Sequence, residues 1–134
     1  MSIRCPDFDA NTLEALTGDD PRQLRRFYVM FRAVCRWQHE GLRREAAQGH
    51  FAEAGLCAKR LKIACFTVGA LGLGHAYSRI ESIASRWDGA ELRASLVDIE
   101  PQLEHTLANL GDIAEGIAVR EATKVTPEAE EARP

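Results

Sequence analysis

The side chains best suited to chemistry cluster in Ala58-Lys59-Arg60-Leu61-Lys62, near the middle of this 134-residue chain. Three cations within four residues suit pairing with carboxylate or phosphoryl oxygens. An ammonium is a poor nucleophile at neutral pH, because lysine titrates near 10.4 and only about one side chain in two thousand is neutral at pH 7. Activating it takes burial or a cationic neighbour. Four imidazoles, His39, His50, His75 and His105, have the chemistry of acids, bases or phosphoryl acceptors. Each reads first as a surface or helix-end residue, and His75, just after Leu73-Gly74, is the strongest of them. Cys5, Cys35, Cys57 and Cys65 show no C-x-x-C spacing and no clustering with histidine. Cys35, Cys57 and Cys65 lie among apolar residues and read as buried free thiols. No nucleophile–base pair or paired carboxylates stand out. Gly69-Ala70-Leu71-Gly72-Leu73-Gly74 lacks the preceding strand that a nucleotide-cradling loop needs. The expectation is a non-enzymatic protein without metal or cofactor.

Apolar residues recur at helical period almost throughout. A short helix is expected over 8–16, with Asp9 as its cap and Thr17-Gly18-Asp19 ending it. Asp20-Pro21-Arg22-Gln23 then has the spacing of a capping box with proline in the first turn. The long helix it opens carries Leu24, Phe27, Phe31, Val34, Cys35 and Leu42 as its apolar stripe and breaks at Gly49. A second helix over 51–67 turns Ala54, Cys57, Leu61, Ala64 or Cys65, and Val68 inward. A third runs through Ala76, Ile80 and Ile83 to about Trp87. Asp88-Gly89-Ala90-Glu91 starts the last, which carries Leu92, Leu96, Ile99, Leu103, Leu107, Leu110 and Ile117. Pro101 is expected to kink or divide it. These spans predict an all-α, up-down antiparallel four-helix bundle with a short N-terminal helix over residues 1–122. Residues 123–134, rich in Pro and Glu, are expected to form a disordered tail. Trp37 and Trp87 read as partly buried packing residues.

Apolar residues make up 46% and charged residues 28% of the chain, ordinary values for one globular domain. No apolar run approaches the ~20 residues of a membrane span. The N-terminus lacks the apolar stretch of a secretory signal, so a cytoplasmic protein without membrane contact is expected. Charge is unevenly spread. Residues 1–20 hold one base against five acids (net −4), residues 21–62 ten against three (net +7), and residues 63–134 six against twelve (net −6). The basic middle is either a solvated helix face or a surface for an acidic protein partner. Its arginines, Arg22, Arg25, Arg26, Arg32, Arg36, Arg43 and Arg44, are not interleaved with aromatics as a nucleic-acid platform would be, so nucleic acid is not the expected partner.

The order of these features resembles the histidine phosphotransfer (HPt) domain of bacterial multistep phosphorelays, over roughly residues 7–112. Phe8-Asp9-x-x-x-Leu13-x-x-Leu16-x-Gly18-Asp19 is similar to the family's opening. Members then carry an Ala-His-x-Leu-Lys-Gly segment followed by a Gly-Ala pair. The matching residues are Ala58, Lys59, Arg60, Leu61, Lys62 and Ile63, then Val68-Gly69-Ala70, and Ile80-Glu81 matches a Leu-Glu pair. Two departures stand out. Lys59 replaces the phosphoacceptor histidine, whose neutral imidazole is abundant near pH 7. Ile63 replaces the glycine that lets a partner approach. Residues 59, 62, 63 and 66 share a stripe by helical spacing. The resemblance therefore implies that Lys59, Lys62, Ile63 and Phe66, with Arg60 beside them, form an outward partner-binding face. It implies a pseudo-HPt module that binds a response-regulator receiver domain or a hybrid histidine kinase, as adaptor, competitor or regulator, without relaying phosphate. A monomer is expected. Two other readings stay open: an active phosphorelay intermediate using a displaced histidine such as His75, and an unrelated helical assembly module.

Overall fold

The computed structural model describes residues 20–131. The short helix expected at 8–16, Cys5 and residues 132–134 lie outside that range. Four helices account for nearly all of it: α1 (Pro21–Ala47), α2 (Phe51–Val68), α3 (Leu71–Ser85) and α4 (Gly89–Glu131). No strand occurs among the described residues. The connections are three, two and three residues long, too short for a crossover, so successive helices reverse direction. Each helix packs on its neighbour in sequence and α4 closes the ring against α1. At about 1.5 Å per residue the 27 residues of α1 span about 40 Å and the 43 of α4 about 65 Å, so α4 overreaches the bundle.

The punctuation follows the sequence. Asp20 Oδ1 accepts from the Arg22 and Gln23 amides at 3.1 and 3.4 Å, capping α1. Asp88 Oδ1 accepts from the Glu91 amide at 3.0 Å and caps α4. Gly69, at φ 86°, ends α2 in the left-handed conformation that favours glycine, and the Ala70 amide returns to the Cys65 carbonyl at 2.8 Å. All seven apolar positions expected of the last helix, Leu92 through Ile117, are buried. Cys35 and Cys65 are buried free thiols, and Cys57 is half-buried.

Several expectations are corrected. The core stripe of α1 is Tyr28, Phe31, Cys35, His39, Leu42 and Ala46, whereas Phe27 and Val34 stand 41% and 43% exposed. Residues 27 and 34 lie one position, about 100° of helix, away from 28 and 35. His39 is buried rather than at the surface, and Trp37 and Trp87 are exposed rather than partly buried. Pro101 does not divide α4. It sits on an exposed turn beside Val97, itself exposed, so the ring needs no room in the core. The helix runs on past residue 122 to Glu131. The arginines of α1 do more than face solvent: Arg32 Nε donates to the Leu107 carbonyl at 2.9 Å, and Arg36 pairs with Glu104 at 3.1 Å. Both tie α1 to α4.

Gly74 lets α2 and α3 approach. A Cβ there would meet the Phe66 ring at 2.8 Å. Gly74→Ala is expected to destabilise the fold by about 1–2 kcal/mol, overpacking outweighing the helix propensity gained. Gly116→Ala, on α4 with nothing within 4 Å of the added carbon, is expected to stabilise by up to about 1 kcal/mol. Urea denaturation of the two variants checks the contrast.

Candidate functional site

Helix α2 presents two side faces. One is the seam with α3, where Phe51, Gly55, Lys62 and Phe66 lie at helical spacing. The other points to solvent and holds Ala52, Leu56, Lys59 and Ile63, with Arg60 alongside. Leu56 and Ile63 are 47% and 54% exposed, and Lys59 and Arg60 are exposed too. Lys59 makes no hydrogen bond or ion pair among the described residues. Two members of the expected face are therefore elsewhere. Lys62 is half-buried and donates to Glu81 Oε1 at 2.6 Å across the seam. Phe66 lies over Gly74, its ring edge-on to His75 at 5.2 Å between centroids. Both are drawn inward by what α3 offers, a carboxylate at 81 and a space at 74. Leu56 is the residue the sequence analysis missed. Its signal is spacing alone, three residues before Lys59 and seven before Ile63.

Lys59 stands on the rim of an open groove of about 260 Å³ between α2 and α3. Ala52, Gly55 and Ala84 keep it shallow, and a Cβ on Gly55 would sit 3.7 Å from that of Ala84. Phe51 and Trp87 close one end, with ring centroids 5.6 Å apart. Trp87 has φ 59°, the left-handed region that non-glycine residues adopt rarely and at a cost of about 1–3 kcal/mol. That conformation turns the chain from α3 into α4 and sets the indole beside Phe51. The groove thus joins aromatic and aliphatic surface to an ammonium that is unpaired among the described residues.

The imidazoles do not converge on it. His50 pairs with Glu45 at 2.9 Å at the α1–α2 turn, and His105 contacts Asn109 at 3.4 Å on α4. His75 is exposed and, among the described residues, engaged only by the edge of Phe66. His39 belongs to a network in the core, with Nε2 3.1 Å from Glu100 Oε1 and Nδ1 2.8 Å from the Tyr77 hydroxyl. In the tautomer these partners select, Nε2–H donates to the carboxylate, which can only accept, and Nδ1 accepts from the Tyr77 hydroxyl. Burial, reinforced by the neighbouring Cys35 and Cys65 thiols, pushes the Tyr77 hydroxyl well above its usual range. The hydrogen bond with Cys35, together with burial, does the same to the Cys65 thiol. Burial also raises Cys57, against the opposing pull of Arg60. None of the three supplies an anionic nucleophile near neutral pH.

Among the described residues, no three His, Cys, Asp or Glu side chains gather as metal ligands, and no helix is long and apolar enough to cross a membrane. Comparison with protein-family models, with curated proteins and with solved structures gives no match in any of the three. What the fold defines is an all-helical bundle with a cationic, part-apolar face on its second helix.

Proposed function

We propose that this chain is a degenerate HPt-type signalling module that binds a two-component receiver domain or histidine kinase without relaying phosphate. The observation that carries the reading is Lys59. It is an exposed ammonium, unpaired among the described residues, at the position where the resemblance puts the relay imidazole. A receiver's active site is a cluster of carboxylates, normally holding a divalent metal. An ammonium projecting from a helix can enter that cluster and pair with it, and Leu56 and Ile63 on either side offer apolar contact. Phosphoryl acceptance is lost with the imidazole, because an ammonium offers three donors and no free electron pair to attack phosphorus.

Calorimetric titration with purified receiver domains from the same source tests this. Lys59→Ala is expected to weaken binding at least about tenfold, the cost of leaving the partner's carboxylates unpaired. Lys62→Ala is expected to do less, since Lys62 is already held by Glu81. Equal affinities for the native chain and Lys59→Ala would remove the mechanism.

A further inference from the structure

We propose that α1 carries a self-complementary seam through which two copies of this chain pair, antiparallel and related by a two-fold axis. The proposal does not rest on the Lys59 reading. Phe27, Met30, Val34 and Trp37 are 41%, 54%, 43% and 69% exposed. They lie on one side of α1, away from the core stripe of Tyr28, Phe31, Cys35, His39 and Leu42. Isolated apolar residues on a surface are ordinary. Four of them at intervals of three, four and three residues repeat the a/d spacing by which helices pair along a seam.

Charge identifies what covers it. Arg26 and Glu40, both exposed, stand just outside the two ends of the seam. They are 14 residues apart, close to four full turns, so they lie on the same flank. When two such helices run antiparallel about a centre near residues 32–33, Phe27 meets Trp37 of the second copy and Met30 meets Val34. Arg26 then meets Glu40, and the symmetry makes every contact twice. The present partner of Glu40 is Arg43 at 3.2 Å, an exposed i,i+3 pair that exchanges at little cost. An acidic foreign partner fits less well. Arg32, Arg36 and Arg43 turn toward α4, where they meet the Leu107 carbonyl, Glu104 and Glu100. Arg22 and Arg44 come opposite each other beyond the apolar layers. Salt therefore screens one attraction and one repulsion and is expected to change the affinity little.

Sedimentation equilibrium of the full chain over a wide concentration range tests the proposal. The apparent mass is expected to rise from 14.8 kDa toward twice that value. Met30→Glu is expected to hold it at the single-chain mass throughout, with unchanged circular dichroism. Arg26→Glu and Glu40→Arg are each expected to raise the dissociation constant roughly two- to fivefold, and their combination to restore it. A native chain that is monomeric at every concentration overturns the proposal. Association insensitive to Met30→Glu, or single swaps that the double swap does not rescue, overturns it equally.

Discussion

Replacing His39 with alanine is expected to lower the folding free energy by about 3 kcal/mol, measured by urea denaturation. Two effects add. The imidazole is buried at the centre of α1, between α3 and α4, so its loss leaves a cavity. Its loss also strips a hydrogen-bond acceptor from the buried Tyr77 hydroxyl and a donor from Glu100. Glu100 recovers by turning to water or to Arg43, 3.7 Å away, but Tyr77 is fully buried and keeps only the weak acceptor of the Cys35 thiol. The asymmetry gives a sharper form of the test. Tyr77→Phe alone removes a hydroxyl and leaves Nδ1 unsatisfied, at about 1–2 kcal/mol. His39→Leu combined with Tyr77→Phe removes both polar partners and refills the space. It is expected to cost less than His39→Ala alone, because the space is refilled and neither member of the His39–Tyr77 hydrogen bond is left without its partner. Losses in His39→Leu and Tyr77→Phe that add up to the loss in their combination would show that the two side chains pack independently rather than as one network.

This network shows where sequence reasoning reaches its limit. The caps at Asp20 and Asp88, the end of α2 close to residue 67 and the buried face of α4 were legible because each is decided within a turn or two of helix. The choice of stripe on α1 was not. That helix carries two apolar stripes, and the one that became core includes Tyr28 and His39, residues whose polar atoms usually argue for the surface. What reverses the preference for His39 is a hydroxyl and a carboxylate brought from 38 and 61 positions away. The face of α2 fails for the same reason. Helical spacing groups residues 59, 62, 63 and 66, yet Glu81 and Gly74 on α3 draw Lys62 and Phe66 into the seam and leave Lys59 and Ile63 outside. Spacing identifies which residues share a helix side. The neighbouring helix decides where that side ends.

The largest change in function is expected from Lys59→His combined with Ile63→Gly. On the proposed reading, the native chain keeps the frame of a relay site but lacks its reactive atom. An exposed imidazole at 59 would be largely neutral near pH 7, with a ring nitrogen free to attack a phosphoryl group. Ile63 stands one turn further along the same exposed face, where a branched side chain obstructs the in-line approach of a partner. Glycine there opens the approach at a helix cost of about 1 kcal/mol, and little burial is lost because Ile63 is more than half exposed. Lys62 and Glu81 stay as they are, so the seam behind the site is undisturbed. Incubation with a phosphorylated receiver domain that binds the native chain, carrying labelled phosphate on its aspartate, is the measurement. The double variant is expected to take up acid-labile label, Lys59→His alone to take up less, and the native chain and Lys59→Ala none. The phosphoryl group leaves the aspartyl oxygen for the imidazole nitrogen, so label lost by one protein appears on the other. A double variant that folds and binds its receiver but stays unlabelled would mean that the frame around residue 59 does not bring an incoming phosphoryl group within reach. The resemblance would then extend to shape and not to chemistry.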